Sequence, residues 1–199
     1  MDLVRIGLLG GSFDPVHRAH LALALTARRQ LELDQVQLLP AAQPWQRPAL
    51  GASAQDRLAM TALAVRPYPE LSVNAEEIRR GGPTYTVETL RALPAGPHYY
   101  WILGSDQLLN FCNWHAWEEI AERVELAVAQ RPGAAPLAPA PLAARLEQLG
   151  RRLHRIAFTP MDVSATDIRD RVRRGDNIAG LVPEEVADYI RKNGLYLSH

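Results

Sequence analysis

The sequence predicts an α/β protein built on a doubly wound parallel sheet with helices on both faces. Three observations carry that expectation. Short apolar runs bounded by glycine or polar residues recur along the chain, and each is separated from the next by a stretch with helical character. The chain's 199 residues fall within the size of one ordinary domain. Alternation of this kind builds right-handed strand–helix–strand units around one sheet.

The first run, Val4 to Leu9, is bounded by glycines and suits a strand buried on both faces of a parallel sheet. Pro15 is expected in the first turn of a helix that Leu21, Leu25 and the Gln30-Leu31 end carry to about residue 31. Further strands are expected at Val36-Gln37-Leu38-Leu39, Leu71-Ser72-Val73, Tyr99 to Leu103, Leu126-Ala127-Val128 and Arg155 to Phe158. Ser53 with Asp56 has the pattern of a capping box before Arg57-Leu58-Ala59-Met60, and Thr84 or Thr86 is expected to cap Val87 to Leu93. Arg131 to Pro141, rich in proline and alanine, reads as an exposed, semi-extended loop. Val182 to Gly194 carries proline and acids at its start and bases and glycine at its close, the signature of a terminal helix. The chain shows no internal repeat, and too few residues follow the proline-rich stretch to form a second core. One Rossmann-like domain over residues 1–199 is therefore expected.

Composition narrows the function classes. A hydrophobic share of 47% with 22% charged residues is that of a soluble globular protein. No segment approaches the ~20 apolar residues of a membrane span. Met1 leads directly into the first apolar run, which is too short and too weakly basic for a signal peptide. Cys112 is the only cysteine, which excludes an intrachain disulfide and a thiolate cluster and suits the cytoplasm. Lys plus Arg and Asp plus Glu balance at 22 each, so global charge gives no reason to expect a nucleic-acid partner. Association into a homo-oligomer is left open.

Two constellations bear on chemistry. In Gly10-Gly11-Ser12-Phe13-Asp14-Pro15-Val16-His17-Arg18-Ala19-His20, a glycine loop follows a strand and two histidines lie three apart at a helix start. Glycines there allow phosphate to approach backbone amides, and the histidines share a face from which both can donate to phosphate oxygens. Neither a dinucleotide GxGxxG nor a P-loop GxxxxGK[ST] is present. Alone, the glycines also fit a tight turn and the histidines a solvated surface; a zinc pair of the HExxH type would need spacing of four and a glutamate. The second constellation is Val163-Ser164-Ala165-Thr166-Asp167-Ile168-Arg169. Ser164 with Asp167 forms a capping box, and two hydroxyls and a guanidinium meet helix amides there.

Together, GGSFDPVHRAH early and VSATDIR late resemble the paired signatures of the nucleotidylyltransferase superfamily. Within it, the chain is similar over essentially its whole length to the bacterial nicotinate mononucleotide adenylyltransferase family. Supporting segments are Asp56 to Met60, Pro83-Thr84-Tyr85-Thr86-Val87-Glu88-Thr89-Leu90, Ile102 to Leu108, Gln130 to Gly133 and Tyr189 to Tyr196. The resemblance implies that Gly10, Gly11, Ser12 and Phe13 line the nucleotide site and that His17 and His20 hold ATP phosphates. It implies that Ser164, Thr166 and Arg169 close on the same phosphates, with His17, His20 and Arg169 catalytic. Gly104 and Asp106 match the family's ribose-binding GxD, and Thr86 and Trp114 match positions near the nicotinate ring, with Trp117 an alternative to Trp114.

Two departures stand out. Ala19 replaces the usual glycine between the histidines, and Leu39 to Arg47 occupies a loop that commonly ends in His-Lys. Arg47 keeps a positive charge there, though a guanidinium is not an ammonium. The implied reaction joins nicotinate mononucleotide to the AMP part of ATP, with Mg²⁺ carried by ATP and no metal ligand from protein side chains. Rival expectations are phosphopantetheine adenylyltransferase, a cytidylyltransferase, preference for the amidated mononucleotide, a non-catalytic nucleotide-binding regulator, or a structural module.

Overall fold

In a computed structural model that describes residues 3–44, 50–133 and 138–197, six parallel strands form one sheet with helices on both faces. In chain order the elements are β1 (Arg5–Gly11), α1 (Arg18–Gln30), β2 (Gln35–Pro40), β3 (Gln43–Pro44), α2 (Ala54–Val65), β4 (Leu71–Val73), α3 (Glu76–Arg80), β5 (Pro83–Thr84) and α4 (Thr86–Ala92). There follow β6 (His98–Gly104), α5 (Ser105–Leu109), a 3₁₀ turn at Phe111–Asn113, α6 (Trp117–Arg123), β7 (Glu125–Gln130), α7 (Ala140–Gln148), β8 (His154–Ala157), α8 (Ala165–Arg174) and α9 (Glu184–Lys192). The sheet order is β4-β2-β1-β6-β7-β8, and β3 pairs with β5 in a separate two-residue ribbon. Winding runs outward from β1 toward β4, then returns and runs outward from β6 toward β8. The boundary between β1 and β6 is thus the switch point, where the carboxyl ends of the strands leave a crevice.

The two-residue period of the strands divides their side chains between two cores. Leu9, Val36, Leu38, Ile102 and Ala127 pack with Leu21, Ala24 and Ala27 of α1, Met60 and Ala64 of α2, Ile168 of α8, and Val186 and Ile190 of α9. Their strand neighbours Leu8, Leu39, Trp101, Leu103, Leu126 and Val128 face the other way. These meet Val87 and Leu90 of α4, Leu108, Phe111, Ile120 of α6, and Leu142 and Leu146 of α7. Each fully buried Leu or Val contributes about 1.5–3 kcal/mol relative to exposure. At the β8 edge, the Gln30 side chain donates to the Ala157 carbonyl at 2.9 Å and accepts from its amide at 2.8 Å. This satisfies backbone groups that an edge strand otherwise presents to other chains.

The six expected strands and the terminal helix are present. Gly10 and Gly11, expected as a loop, instead close β1, paired with Leu39 and Pro40. A Cβ on Gly10 would lie 2.9 Å from the Trp101 ring, and one on Gly11 would lie 3.0 Å from the Phe13 ring, so packing explains both glycines. Pro15 sits in a turn after a cis Asp14–Pro15 bond, and α1 starts only at Arg18 with His17 as N-cap. Ser53 and Ser164 cap α2 and α8, each accepting from an amide three residues on at 3.1 Å. Neither Thr84 nor Thr86 caps α4: its N-cap is Tyr85, and the Thr84 hydroxyl accepts from the amides of Ala42 and Gln43 instead. The stretch expected as a proline-rich loop gives its last residues to α7, with Pro139 as N-cap and Pro141 in the first turn, where a missing N–H costs nothing. Residues 134–137 of that stretch lie outside the described residues.

Candidate active site

The segment after β1 is packed into the protein. Phe13, Asp14, Val16 and His17 are all buried, and Phe13 adopts a left-handed conformation with φ of 47°. That conformation is unfavourable for a bulky side chain and persists only where its surroundings enforce it. Two buried ionic groups supply such enforcement. Arg57, on α2, donates to the Ser12 carbonyl at 2.7 Å and to the Ala42 carbonyl at 2.9 Å. Asp14 accepts from the amides of Gly51 at 2.7 Å and Ala52 at 3.0 Å and from the Tyr196 hydroxyl at 2.9 Å. Burial and the neighbouring carboxylate both push the Tyr196 phenol far above its ordinary value, so it remains a donor.

This scaffold presents the two histidines. Their rings stack at 3.7 Å between centroids with 22° between planes, and the His20 ring meets Phe13 edge-on at 4.9 Å. The His17 amide donates to His20 Nδ1 at 3.2 Å, which places the proton of a neutral His20 on Nε2. Burial pulls the His17 pKa down to about 4, so its ring is neutral near pH 7, and its Nδ1 is buried without a hydrogen-bond partner. With His17 neutral, two adjacent imidazolium rings do not repel each other, and the His17 ring offers one N–H donor.

Arg169, on α8, reaches the same loop. It donates to the Asp14 carbonyl at 2.7 Å and to the Thr166 hydroxyl at 3.3 Å, and its guanidinium lies 3.8 Å from the Asp14 carboxylate. The second constellation is thereby brought to the first through Asp14, while Ser164 and Thr166 remain exposed at the α8 N-terminus.

The other candidate residues are distributed around the crevice. Gly104 and Asp106 line a cavity of 560 Å³ with Leu23, Gln130, Arg131 and Phe158, beyond the carboxyl ends of β6 and β7. Only Gln107 Oε1, at 4.0 Å, would come near a Cβ on Gly104, so this glycine does leave room. Thr86 opens α4, next to the β3–β5 ribbon. A cavity of 390 Å³ lies on this side, lined among others by Ala42, Gln43, Ala52, Arg57, Gly81 and Gly82. Trp114 stands edge-on to Trp101 at 6.5 Å and packs on Phe111 at 5.3 Å, its Nε1 buried without a partner. Trp101 is the ring against Gly10, so Trp114 is joined to the β1 end through it; Trp117 packs on Phe111 from α6. Arg47 and Trp45 lie outside the described residues. A larger cavity, 680 Å³, runs between the end of α8 and α9 and holds none of these residues. The crevice is therefore located by its chemistry and by the switch point, not by volume.

Sequence reasoning passed over Asp14, Arg57 and Tyr196. The available signal was a carboxylate inside the first motif and an arginine amid an apolar helix run, since such charges are buried only when paired.

Among the described residues, no group of three or more His, Cys, Asp or Glu side chains is placed to hold a metal ion. No helix among them is long and apolar enough to cross a membrane.

Known proteins are similar to this chain in sequence and in fold. The cytidylyltransferase-like family model matches residues 8–171. A Bordetella pertussis protein named "Probable nicotinate-nucleotide adenylyltransferase" is 60% identical over 196 residues, 98% of this chain and 100% of that protein. One of the same name from Herpetosiphon aurantiacus is 42% identical over 98% of this chain and 99% of its own. The structure of Plasmodium falciparum nicotinic acid mononucleotide adenylyltransferase complexed with NaAD superposes with a TM-score of 0.74 over 96% of this chain and 97% of that one. At 17% identity that likeness speaks for the fold alone. Full-length identity of this order, on a shared switch-point architecture, means that the chain belongs to the cytidylyltransferase-like family and, within it, to the nicotinate-nucleotide adenylyltransferases.

Proposed function

We infer that this protein transfers AMP from ATP to nicotinate mononucleotide, giving nicotinate adenine dinucleotide and pyrophosphate in NAD biosynthesis. The observation that carries the reading is the 60% identity, end to end, with proteins named for that activity, in a chain with a stacked histidine pair, His17 buried, at its switch point. The acceptor phosphate is ionised near pH 7, so attack on the α-phosphorus needs no general base. A new P–O bond forms to the acceptor phosphate as the bond to the β-phosphate oxygen breaks, and the electron pair leaves with pyrophosphate. The protein's work is alignment and charge stabilisation, for which a prearranged, partly water-excluded site is suited.

On this reading the end of β1 and the residues after it, Gly10 through Phe13, flank the nucleotide, and His17 and His20 donate to phosphate oxygens. Ser164, Thr166 and Arg169 meet those phosphates from the α8 side, while Gly104 and Asp106 take the ribose beside the 560 Å³ cavity. Thr86, Trp114 and Arg47 belong to the mononucleotide side. Mg²⁺ accompanies ATP, held by phosphate oxygens and water rather than by a protein cage. Residues 1–199 act as one domain, since segments around residues 12, 51, 169 and 196 all meet at Asp14. A cytoplasmic location fits the single cysteine.

The test is pyrophosphate release from ATP and Mg²⁺ with nicotinate mononucleotide, nicotinamide mononucleotide or phosphopantetheine as acceptor. Strong preference for the first is expected. Preference for another acceptor would overturn the substrate, and release with none of the three would overturn the enzyme.

A further inference from the structure

The crevice has two sides, and two short pieces of chain, residues 42–44 and 50–52, border the 390 Å³ cavity that this reading gives to the mononucleotide. Both are fastened to the loop that carries the histidines. At the first, the Ala41 amide donates to the Gly11 carbonyl at 2.9 Å. One Arg57 guanidinium then spans the Ser12 and Ala42 carbonyls at 2.7 and 2.9 Å. At the second, Asp14 takes the amides of Gly51 and Ala52. Arg57 and Asp14 are 1% and 2% exposed, so water does not compete for these contacts.

We propose that Asp14 and Arg57 are positioning residues that tie the mononucleotide side of the crevice to the ATP side, so that each substrate strengthens binding of the other. The proposal rests on the adenylyl-transfer reading above. Its physical basis is the stiffness of the connectors. A guanidinium is a planar fork with fixed donor directions, so the Ser12 and Ala42 carbonyls cannot shift independently without losing a bond. The Asp14 carboxylate imposes the same constraint on the 51–52 amides and on the turn that leads to His17. Breaking either contact in the buried interior leaves an unpaired charge, a costly outcome that makes joint movement the easier one. A substrate that fixes residues 12–17 in their productive arrangement thereby fixes residues 42 and 51–52, and the converse follows by linkage. Neither residue needs to touch a substrate.

The experiment is calorimetric binding of nicotinate mononucleotide to the full chain, with and without α,β-methylene-ATP and Mg²⁺. In the wild type the analogue is expected to tighten mononucleotide binding by about fivefold or more. In Arg57→Lys, whose ammonium lacks the fork, that ratio is expected to fall below about twofold while affinity for each ligand alone changes less. Asp14→Asn serves as the second variant if Arg57→Lys does not fold. A wild-type ratio of one overturns the proposal by itself. So does a variant that lowers the thermal midpoint yet keeps the ratio, since that is the behaviour of a merely structural residue. If the acceptor assays show a different mononucleotide as substrate, the functional reading fails, and the same ratio measured with that acceptor still decides the coupling.

Discussion

The two constellations that the sequence singles out are built in opposite ways. Around His17 the chain is buried, conformationally unusual at Phe13, and tied down by Arg57 and Asp14. Around Ser164 and Thr166 it is exposed, and its order comes from a helix cap and from Arg169 reaching back to the Asp14 carbonyl. The first arrangement supplies donors held by buried contacts away from bulk water, which is where electrostatic stabilisation is strongest. The second supplies amides and hydroxyls in water, where each contact is weaker and screened by salt. On the proposed function, rate acceleration falls mainly to the histidine pair and ATP affinity mainly to the exposed helix start.

The largest effect should come from the buried side. His17→Ala is expected to lower kcat about 100- to 1000-fold, the usual consequence of removing one preorganised donor. Some stability is lost with the buried, stacked ring, so activity is compared well below the variant's thermal midpoint. Steady-state kinetics beside a melting curve would check this, and full activity in the variant would break the comparison.

A second buried group sharpens it through pH. Glu77, on α3, is 3% exposed and accepts from the Thr89 hydroxyl of α4 at 2.8 Å, and Arg80 donates to that same hydroxyl at 3.2 Å. Burial raises its pKa to about 7, against the opposing pull of Thr89 and Arg80. The unfolded chain releases this proton near pH 4.5 and the folded chain near 7, so the native state is penalised progressively across that window and fully above it. Glu77→Gln, which keeps an acceptor for Thr89, is expected to stabilise the protein by of order 2–3 kcal/mol at pH 8 and to leave it nearly unchanged at pH 4. Denaturation curves at the two pH values would show this, and equal effects at both would contradict the buried, neutral carboxyl. His17 behaves in the opposite sense: its lowered pKa withdraws stability as pH falls from 6.5 toward 4.

The smallest effect belongs to the exposed side. Ser164→Ala removes the cap of α8 and should cost about 1 kcal/mol of stability. A rise of a few-fold in KM for ATP, with kcat nearly unchanged, is expected alongside it. A loss of kcat as large as that of His17→Ala would mean that the two constellations do not divide the work as described.

Much of this was legible in the sequence because it depends on local pattern. Six short apolar runs marked the six sheet strands, and Ser53 and Ser164 announced their helices through the residue three positions later. The early histidine segment and VSATDIR, far apart in the chain, are brought together where Arg169 donates to the Asp14 carbonyl. What escaped depends on contacts distant in sequence. Gly10 and Gly11 read as a loop, yet they close β1, with the distant Trp101 ring against Gly10. Thr84 looks like a helix cap, yet its hydroxyl serves amides 41 and 42 residues away. Asp14 is an ordinary turn residue until Gly51, Ala52 and Tyr196 converge on it. No local periodicity records such a junction.

The central claim, transfer of AMP to nicotinate mononucleotide, is tested most directly by following the α-phosphorus. ATP labelled at that atom, incubated with the protein, Mg²⁺ and nicotinate mononucleotide, should yield label in nicotinate adenine dinucleotide, in step with unlabelled pyrophosphate. Label remaining in ATP, or appearing in free AMP without dinucleotide, would contradict the account.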